Sequence, residues 1–526
     1  MDAAPPARRN FLCLAAAFLA VAATAVAGWW GLGRPVALVD MPGGRIECLS
    51  YTVTYPGGSP IDPDFKAPPG MLDADMKALK PLTNCIRTYS SLGSQGDAVA
   101  AAAKVGIKVM LGIWVSADDA ATAKEIARAV ELAKAHPDAI RMLVVGNEVL
   151  LRREMTPEKL GRIIRSVKAQ VPLPVTYADI YEFWRRNAKL ADYVDVVSVH
   201  VLPYWDDPTP VSIDEVQAHI KGIVDRARAT FPGRAMLIGE IGWPSAGRTR
   251  GAARPSVVNE AQFLREFARN ATNVGLPYNV IEAVDQHWKR RPEGTVGGFW
   301  GVLDGARQLK FPLSGPVSEW PHWRWAAAIS VLGGLIGTLW AWRLGAAGFR
   351  RPFQAAAAGA LGAAFSFAFI DQAMKFAIGT PGMLWGAYLA GTGLLGALFV
   401  VHRAAGGDVR TIGAFRWAVL VPAAMVAISM AVDGRHRDFL TLAFLMPALA
   451  LMFAKPDGAH LRERAWLAIV IAVAAPFAVD ALVNREAIFW MLCSFALAWP
   501  ERAGAEAELT RLFGRLFGRK PAAQQK

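Results

Sequence analysis

The sequence predicts an α/β protein, a (β/α)8 TIM barrel, followed by an all-α multi-pass transmembrane bundle. Three observations carry that expectation. Between residues 36 and 319, eight short runs rich in Val, Ile and Leu alternate with stretches of helical periodicity. From about residue 320 the chain becomes a series of long apolar runs separated by short loops. The charge steps at the same place: residues 1–319 hold 37 Lys+Arg against 33 Asp+Glu, and residues 320–526 hold 20 against 11. With 53% hydrophobic and 19% charged residues over 526 positions, the chain is neither disordered nor a purely soluble enzyme.

Residues 1–35 form a signal or anchor segment. Arg8 and Arg9 precede the apolar run 11–27, whose length is near the lower limit of roughly 17–25 residues for a spanning helix. The Ala-Val-Ala ending at Ala27 also suits a cleavage site, so cleaved signal and retained anchor both stand. Either way the following domain, 36–319, is exported. Its strand-like runs lie at 45–53, 84–89, 107–115, 140–147, 173–178, 193–201, 235–241 and 278–284. Thr156-Pro157 opens one intervening helix, with Leu160, Ile163, Ile164 and Val167 as its stripe, and Ser212 to Glu215 is a capping box for another. Eight strands over this length fit a (β/α)8 barrel of roughly 250 residues. A doubly wound sheet is the runner-up, but no Gly-rich phosphate loop follows the first strand.

The bundle occupies 320–500, with apolar segments at about 325–342, 354–370, 383–401, 417–432, 439–454, 466–483 and 487–499. With the barrel outside, the inside loops and the tail hold fifteen Lys+Arg and the outside loops four. That asymmetry supports an orientation with the barrel on the side of the membrane away from the cytoplasm. It also accounts for the net charge of +13, so no nucleic-acid partner is expected. In the tail, 501–526, Leu509, Leu512, Phe513, Leu516 and Phe517 recur at helical spacing with Arg511, Arg515, Arg519 and Lys520 elsewhere. This is the pattern of a basic amphipathic helix lying on an anionic lipid leaflet. Asp371, Lys375 and Asp480 fall near segment ends, where they can reach the interface.

In a barrel of this kind chemistry sits at the C-terminal ends of the strands. Two carboxylates stand there on apolar strands. Met142-Leu143-Val144-Val145 runs into Gly146-Asn147-Glu148, and Met236-Leu237-Ile238-Gly239 runs into Glu240-Ile241-Gly242-Trp243-Pro244-Ser245. An acid ending a hydrophobic run is costly to ionise unless pairing or function compensates. Two acids flanking a cleft are what glycosidic-bond cleavage requires.

These two segments resemble the acid and nucleophile motifs of glycoside hydrolase family 17, the β-1,3-glucanase family. Further likenesses follow in order: Arg87-Thr88-Tyr89 at strand two, Gly106 to Gly112 at strand three, His200-Val201-Leu202-Pro203-Tyr204-Trp205 at strand six, and Asp285-Gln286-His287-Trp288-Lys289 with Gly298 to Gly301 after strand eight. The resemblance covers roughly 45–315 and is closest to modules that accompany bacterial β-glucan synthesis, some of them transglycosylases. It implies a retaining mechanism on β-glucan with Glu148 as acid/base and Glu240 as nucleophile. It also implies that Asn147 holds the 2-hydroxyl of the reacting sugar, that Arg87 and Tyr89 support the nucleophile, and that Tyr204 lines the cleft. Gln286 stands where many members carry Glu, which leaves Lys289 without that carboxylate partner.

Trp114, Trp205, Trp243, Trp288 and Trp300 fall near predicted strand ends, as sugar platforms or as barrel-top packing. His200 reads as a hydrogen-bonded structural residue. Cys48 and Cys85 read as small buried side chains; a bridge between them needs a register that sequence does not supply. No metal or nucleotide motif appears, so no cofactor is expected. Three readings result: a membrane-held glucan hydrolase or transglycosylase beside a glucan synthase or exporter, a membrane glucan synthase using nucleotide sugar, and a catalytically silent glucan-binding module. Inside loops too short for a synthase domain oppose the second, and the intact acid pair opposes the third.

Overall fold

The computed structural model describes residues 6–62, 65–206, 210–408, 412–454 and 461–516. The chain divides into two compact units, one of residues 1–34 with 318–526 and the other of residues 35–317. In chain order the elements are α1 (Pro6–Gly33), β1 (Leu49–Ser50), α2 (Met71–Leu79), β2 (Cys85–Arg87), α3 (Gly93–Lys104), β3 (Lys108–Ile113), α4 (Asp119–Ala135), β4 (Ile140–Asn147) and α5 (Pro157–Lys168). Then come β5 (Val175–Ile180), α6 (Tyr181–Arg186), β6 (Val196–Val201), α7 (Val216–Thr230), β7 (Ala235–Ile241), α8 (Val257–Asn273), β8 (Tyr278–Val280) and the short α9 (Arg290–Glu293).

The eight strands are parallel and close into a barrel in sequence order, β8 pairing back to β1. Successive side chains of a strand point to opposite faces. On β3, Val109, Leu111 and Ile113 join the large core under the helices, while Met110 joins a small separate cluster with Cys48, Cys85, Met142, Val144, Ala178 and Leu237. Ser50, Arg87, Thr176, Ser198, His200 and Asn279 are buried as well. The helices begin where hydroxyls and carboxylates cap them. Thr156 accepts from Lys159 N, Asp118 from Ala120 N and Ala121 N, and Ser256 from Asn259 N. The capping box expected at Ser212 does not open α7. Its hydroxyl donates to the Glu215 carboxylate across a turn, and the helix starts at Val216.

Cys48 and Cys85 are joined by a disulfide, with a Cα–Cα distance of 4.4 Å. The reason is register. Leu49 of β1 lies beside Ile86 of β2, so the preceding cysteines meet on neighbouring strands.

The other unit contains α1, α10 (Trp323–Arg343), α11 (Arg350–Phe376), α12 (Gly379–Ala404), α13 (Gly413–Val432), α14 (Thr441–Phe453), α15 (Leu461–Ala474), α16 (Arg485–Ala498) and α17 (Arg502–Leu516). Among the described residues, five helices are long and apolar enough to cross a membrane: α1 and α10 to α13. The next three have 13, 14 and 14 residues, short of the ~20 that a straight crossing needs. Small residues let backbones touch: a Cβ on Gly337 would lie 2.1 Å from Ala355 O, and one on Gly359 2.1 Å from Gly333 O. The N-terminal helix packs within this unit, where Trp29 Nε1 donates to Ser330 Oγ at 2.9 Å.

Arg416 and Arg464, both counted above as loop charges, are buried on helices and meet Glu501 at 2.6 and 3.6 Å. Along α17, Leu512, Phe513 and Leu516 are exposed, while Glu508 is buried against Arg462 and Arg511. Phe517, Arg519 and Lys520 of the expected amphipathic face lie outside the described residues. Lys375 pairs with Asp371 at 2.7 Å, and Asn484 Nδ2 donates to Asp480 Oδ1 at 2.8 Å.

Candidate active site

The site lies at the C-terminal ends of the strands and is assembled around Glu240, which follows Gly239 on β7. Arg87, next along the chain from the β2 core residue Ile86, donates through Nη1 to Glu240 Oε1 at 2.7 Å and to Gly239 O at 3.1 Å. Its Nη2 reaches Asn147 Oδ1 at 2.5 Å. The Tyr89 hydroxyl lies 3.0 Å from both Glu240 Oε1 and Ser50 Oγ. Asn279 Nδ2 completes the frame by donating to Ser50 Oγ and Gly239 O. Gly239 is required by this crowding, since a Cβ there would stand 2.3 Å from Ser198 Oγ.

Burial pushes the Glu240 carboxyl up, but His200, Arg87 and Lys289, with the Tyr89 hydroxyl, outweigh it and hold the group below its ordinary value. Both hydrogen-bonded partners use Oε1, which leaves Oε2 for other chemistry. Burial and the Glu240 charge raise the Tyr89 phenol well above its usual range, so it stays a donor.

Glu148 follows β4 in the left-handed region, at φ 53°, directly after Gly146 at φ 89° and Asn147. That turn takes its carboxyl off the strand, where it is partly exposed, and His200 Nδ1 lies 3.0 Å from its Oε1. The other ring nitrogen of His200 faces Glu240 Oε1 across 3.7 Å. One ligand atom each from Glu148, His200 and Glu240 falls within 4.8 Å of the other two. The three could by geometry hold a cation, but the short contact between Nδ1 and Glu148 and the surrounding cations suit a proton.

The structure thus gathers Glu148, Glu240, Asn147, Arg87 and Tyr89 in one place. The aromatic residues divide. Trp243 and Tyr204 are wholly buried, and their polar tips donate to Arg254 O and Arg248 O. Neither lines an open cleft: the loop carbonyls these tips bind draw both rings into the core. Trp300 is buried too, stacked on Trp205 with centroids 6.2 Å apart. Trp205 and Trp288 keep part of their surface open. Trp114 is exposed, and the Arg152 guanidinium covers its ring at 4.2 Å.

Lys289 is not left without a carboxylate. It pairs with Glu282, just past β8, and this pairing holds the lysine up although burial opposes it. Burial raises Glu282 to about 7 despite Lys289. Asp179, at the end of β5, is raised by burial to about 6 and accepts a hydrogen bond from Tyr177. Sequence reasoning missed both acids, although each ends an apolar strand by the same signature that marked Glu148 and Glu240. Behind the site, Lys310 sits 3.0 Å from both Glu260 and Asp285. Burial lifts Glu260 to about 8.

Residues 51–301 match the BtgE/BtgC glycoside hydrolase domain family. Over 265 residues the chain is 25% identical to the glucan 1,3-beta-glucosidase of Saccharomyces cerevisiae, spanning 46% of this chain and 84% of that protein. Over 260 residues it is 28% identical to the protein of the same name from Arthroderma benhamiae, spanning 45% and 82%. Among solved structures, an active-site mutant of Rhizomucor miehei beta-1,3-glucanosyltransferase in complex with laminaritriose aligns with a TM-score of 0.45 and 24% identity, over 51% of this chain and 96% of that one. The barrel region, over residues 51–301, is thus similar to glycoside hydrolase domains of the BtgE/BtgC kind.

Proposed function

We propose that the chain is a membrane-held retaining enzyme that cleaves β-1,3-glucan and passes the glycosyl group to a glucan acceptor. The observation that carries this reading is the acid pair, with carboxylate oxygens of Glu148 and Glu240 within 4.8 Å of each other. Retaining enzymes keep their carboxyls roughly 5–5.5 Å apart, whereas inverting ones leave room for a water. Glu240 Oε2 attacks the anomeric carbon while Glu148 gives its proton to the departing glycosidic oxygen. In the second half-reaction Glu148 takes a proton from the acceptor hydroxyl, whose oxygen displaces Glu240. Asn147, its Oδ1 held by Arg87, offers Nδ2 to the 2-hydroxyl of the reacting sugar. Lys289 adds positive charge beside the nucleophile.

Transfer must outcompete water, present at roughly 55 M; a well-oriented acceptor reaches effective molarities of about 10⁵ M. Trp205 and Trp288 are the stacking surfaces for it, with Trp300 backing Trp205. The names of the related fungal proteins support the substrate class. The test is to incubate the full chain in detergent with a linear β-1,3-glucan oligosaccharide. Products longer than the substrate, or cyclic ones, are expected, and Trp288→Ala should shift the balance toward short fragments. Only shorter fragments at every substrate concentration would leave a plain membrane-bound endo-glucanase.

For location we propose the inner membrane of a bacterium, with the barrel on the periplasmic side. Five spanning-length helices, fifteen against four Lys+Arg and the disulfide support this. Trp325 and Trp342, both exposed, lie seventeen residues apart on α10, about 25 Å along the axis, as for rings at the two faces of a bilayer. A periplasm-dependent reporter after Pro316 should be active and the same reporter at Gly407 silent.

A further inference from the structure

His200 stands between the two carboxylates, and its chemistry is unexplained by a merely structural role. The ring is 2% exposed. Nδ1 lies 3.0 Å from Glu148 Oε1, and Nε2, buried and with no hydrogen-bond partner among the described residues, faces Glu240 Oε1 at 3.7 Å. A neutral imidazole carries one N–H. With it on Nε2, Nδ1 could meet Glu148 Oε1 only by accepting the carboxyl proton there, away from the oxygen that must protonate the leaving group. With it on Nδ1, a lone pair would face Glu240. Only the doubly protonated ring presents a donor to both. A buried cation needs compensation, and the two glutamates supply it.

We propose that His200 works as the doubly protonated ring, a positioning residue that donates to Glu148 through Nδ1 and presents Nε2–H to Glu240. Resting on the glycosidase reading above, this assigns His200 two tasks. Its Nδ1–H fixes the Glu148 carboxyl so that Oε2 carries the transferable proton. Its charge keeps Glu240 ionised for attack. The ring loses no proton during turnover: the proton given to the glycosidic oxygen leaves Glu148 Oε2, and the proton of the acceptor hydroxyl returns there.

The groups around the ring agree with a cation. Glu148 approaches from the end of β4, Asp179 with Tyr177 from β5, and Glu240 from β7. Arg87 and Tyr89 reach Glu240 from β2 and beyond, and Lys289 with Glu282 from past β8. Against the two cations there stand three strand-end carboxyls and Glu282.

The test uses the full chain and His200→Gln, which keeps an N–H donor and removes the charge. Losing a cation beside Glu240 makes the nucleophile harder to ionise. The acidic limb of kcat/KM against pH on a β-1,3-glucan oligosaccharide should therefore move up by about one unit. KM should change less than about threefold. A fall in kcat with the acidic limb unmoved overturns the proposal. Independently of activity, ¹⁵N NMR of histidine-labelled protein at about pH 6 should show both nitrogens protonated in the ring whose signals vanish in His200→Gln. A singly protonated ring overturns the proposal even where the enzyme acts on glucan as proposed. A wild-type protein inactive on every β-glucan would remove the substrate reading and leave the ring measurement standing.

Discussion

The two units solve burial in opposite ways. The barrel takes charge inside and neutralises it locally. Arg87 and Glu240 are both buried, and the part-exposed Lys289 and Lys310 reach in to the buried Glu282 and to the buried Glu260 and Asp285. Breaking such a pair leaves an unpaired charge, which costs about 3–5 kcal/mol. The helical unit instead leaves large apolar side chains such as Trp325, Leu384, Phe477 and Leu482 exposed, and packs its backbones through glycine and alanine. The first arrangement needs water outside and chemistry within; the second suits a hydrocarbon surround. Where the helical unit does bury charge, Arg416, Arg464 and Glu501 meet near helix ends, and Glu508, inside α17, is paired with Arg462 and Arg511.

The sharpest way to test this contrast is to remove one buried charge of the barrel and watch chemistry rather than folding. Glu240→Gln should lower turnover on the order of 10⁴-fold at temperatures where the variant is folded, and should also lower the thermal midpoint, because Arg87 loses its buried counter-charge. Glu148→Gln should also be crippled on glucan, yet azide should restore some cleavage of an activated aryl glycoside by standing in for the base-assisted step. Near-normal turnover in either variant would refute the assignment.

A smaller effect separates the two kinds of staple. Replacing Cys48 and Cys85 together by Ala opens a link that spans 37 residues and should cost the barrel about 3 kcal/mol. Gly337→Leu, where the first added carbon meets Ala355 O, should cost the helical unit about 1–3 kcal/mol instead. Denaturation followed by barrel activity and by helix content should assign each loss to one unit. Loss of kcat in Gly337→Leu at temperatures where the protein is folded would break the separation.

The smallest effect is in pH. Glu260 titrates at about 8 in the folded barrel against an ordinary 4.5, and Glu282 at about 7. Both values are raised, so their contribution is complete below the unfolded value and is lost as pH climbs through the folded one. The barrel should therefore melt lower at about pH 9 than at about pH 5, and Glu260→Gln should flatten that decline. A slope of opposite sign would show that the Lys310 partnership governs the cluster instead.

Much of the site was legible because its signature is local. An acid that ends an apolar strand is conspicuous, and Gly146-Asn147-Glu148 and Gly239-Glu240 announce themselves without any knowledge of neighbours. Asp179 and Glu282 carry the same mark, and reading it consistently would have found them. The tryptophans were not legible. Trp243, Trp288 and Trp300 all lie in the segments that follow β7 and β8, but exposure depends on which loop folds over which ring. The carboxylate partner of Lys289 was equally hidden, since Glu282 and Lys289 meet only after the chain turns beyond β8.

The sequence by itself determined the alternation of eight strands with helices, the change to long apolar helices near residue 320, and the two carboxylates at strand ends. Each follows from periodicity or hydropathy within a few residues. Only the tertiary structure decided that Cys48 and Cys85 bond, that Arg87 and Tyr89 converge on one oxygen of Glu240, and that His200 stands between the acid pair. Those facts depend on the stagger between adjacent strands. A shift of one residue in a parallel register would turn every one of these side chains to the opposite face, and no local pattern in the chain records that stagger.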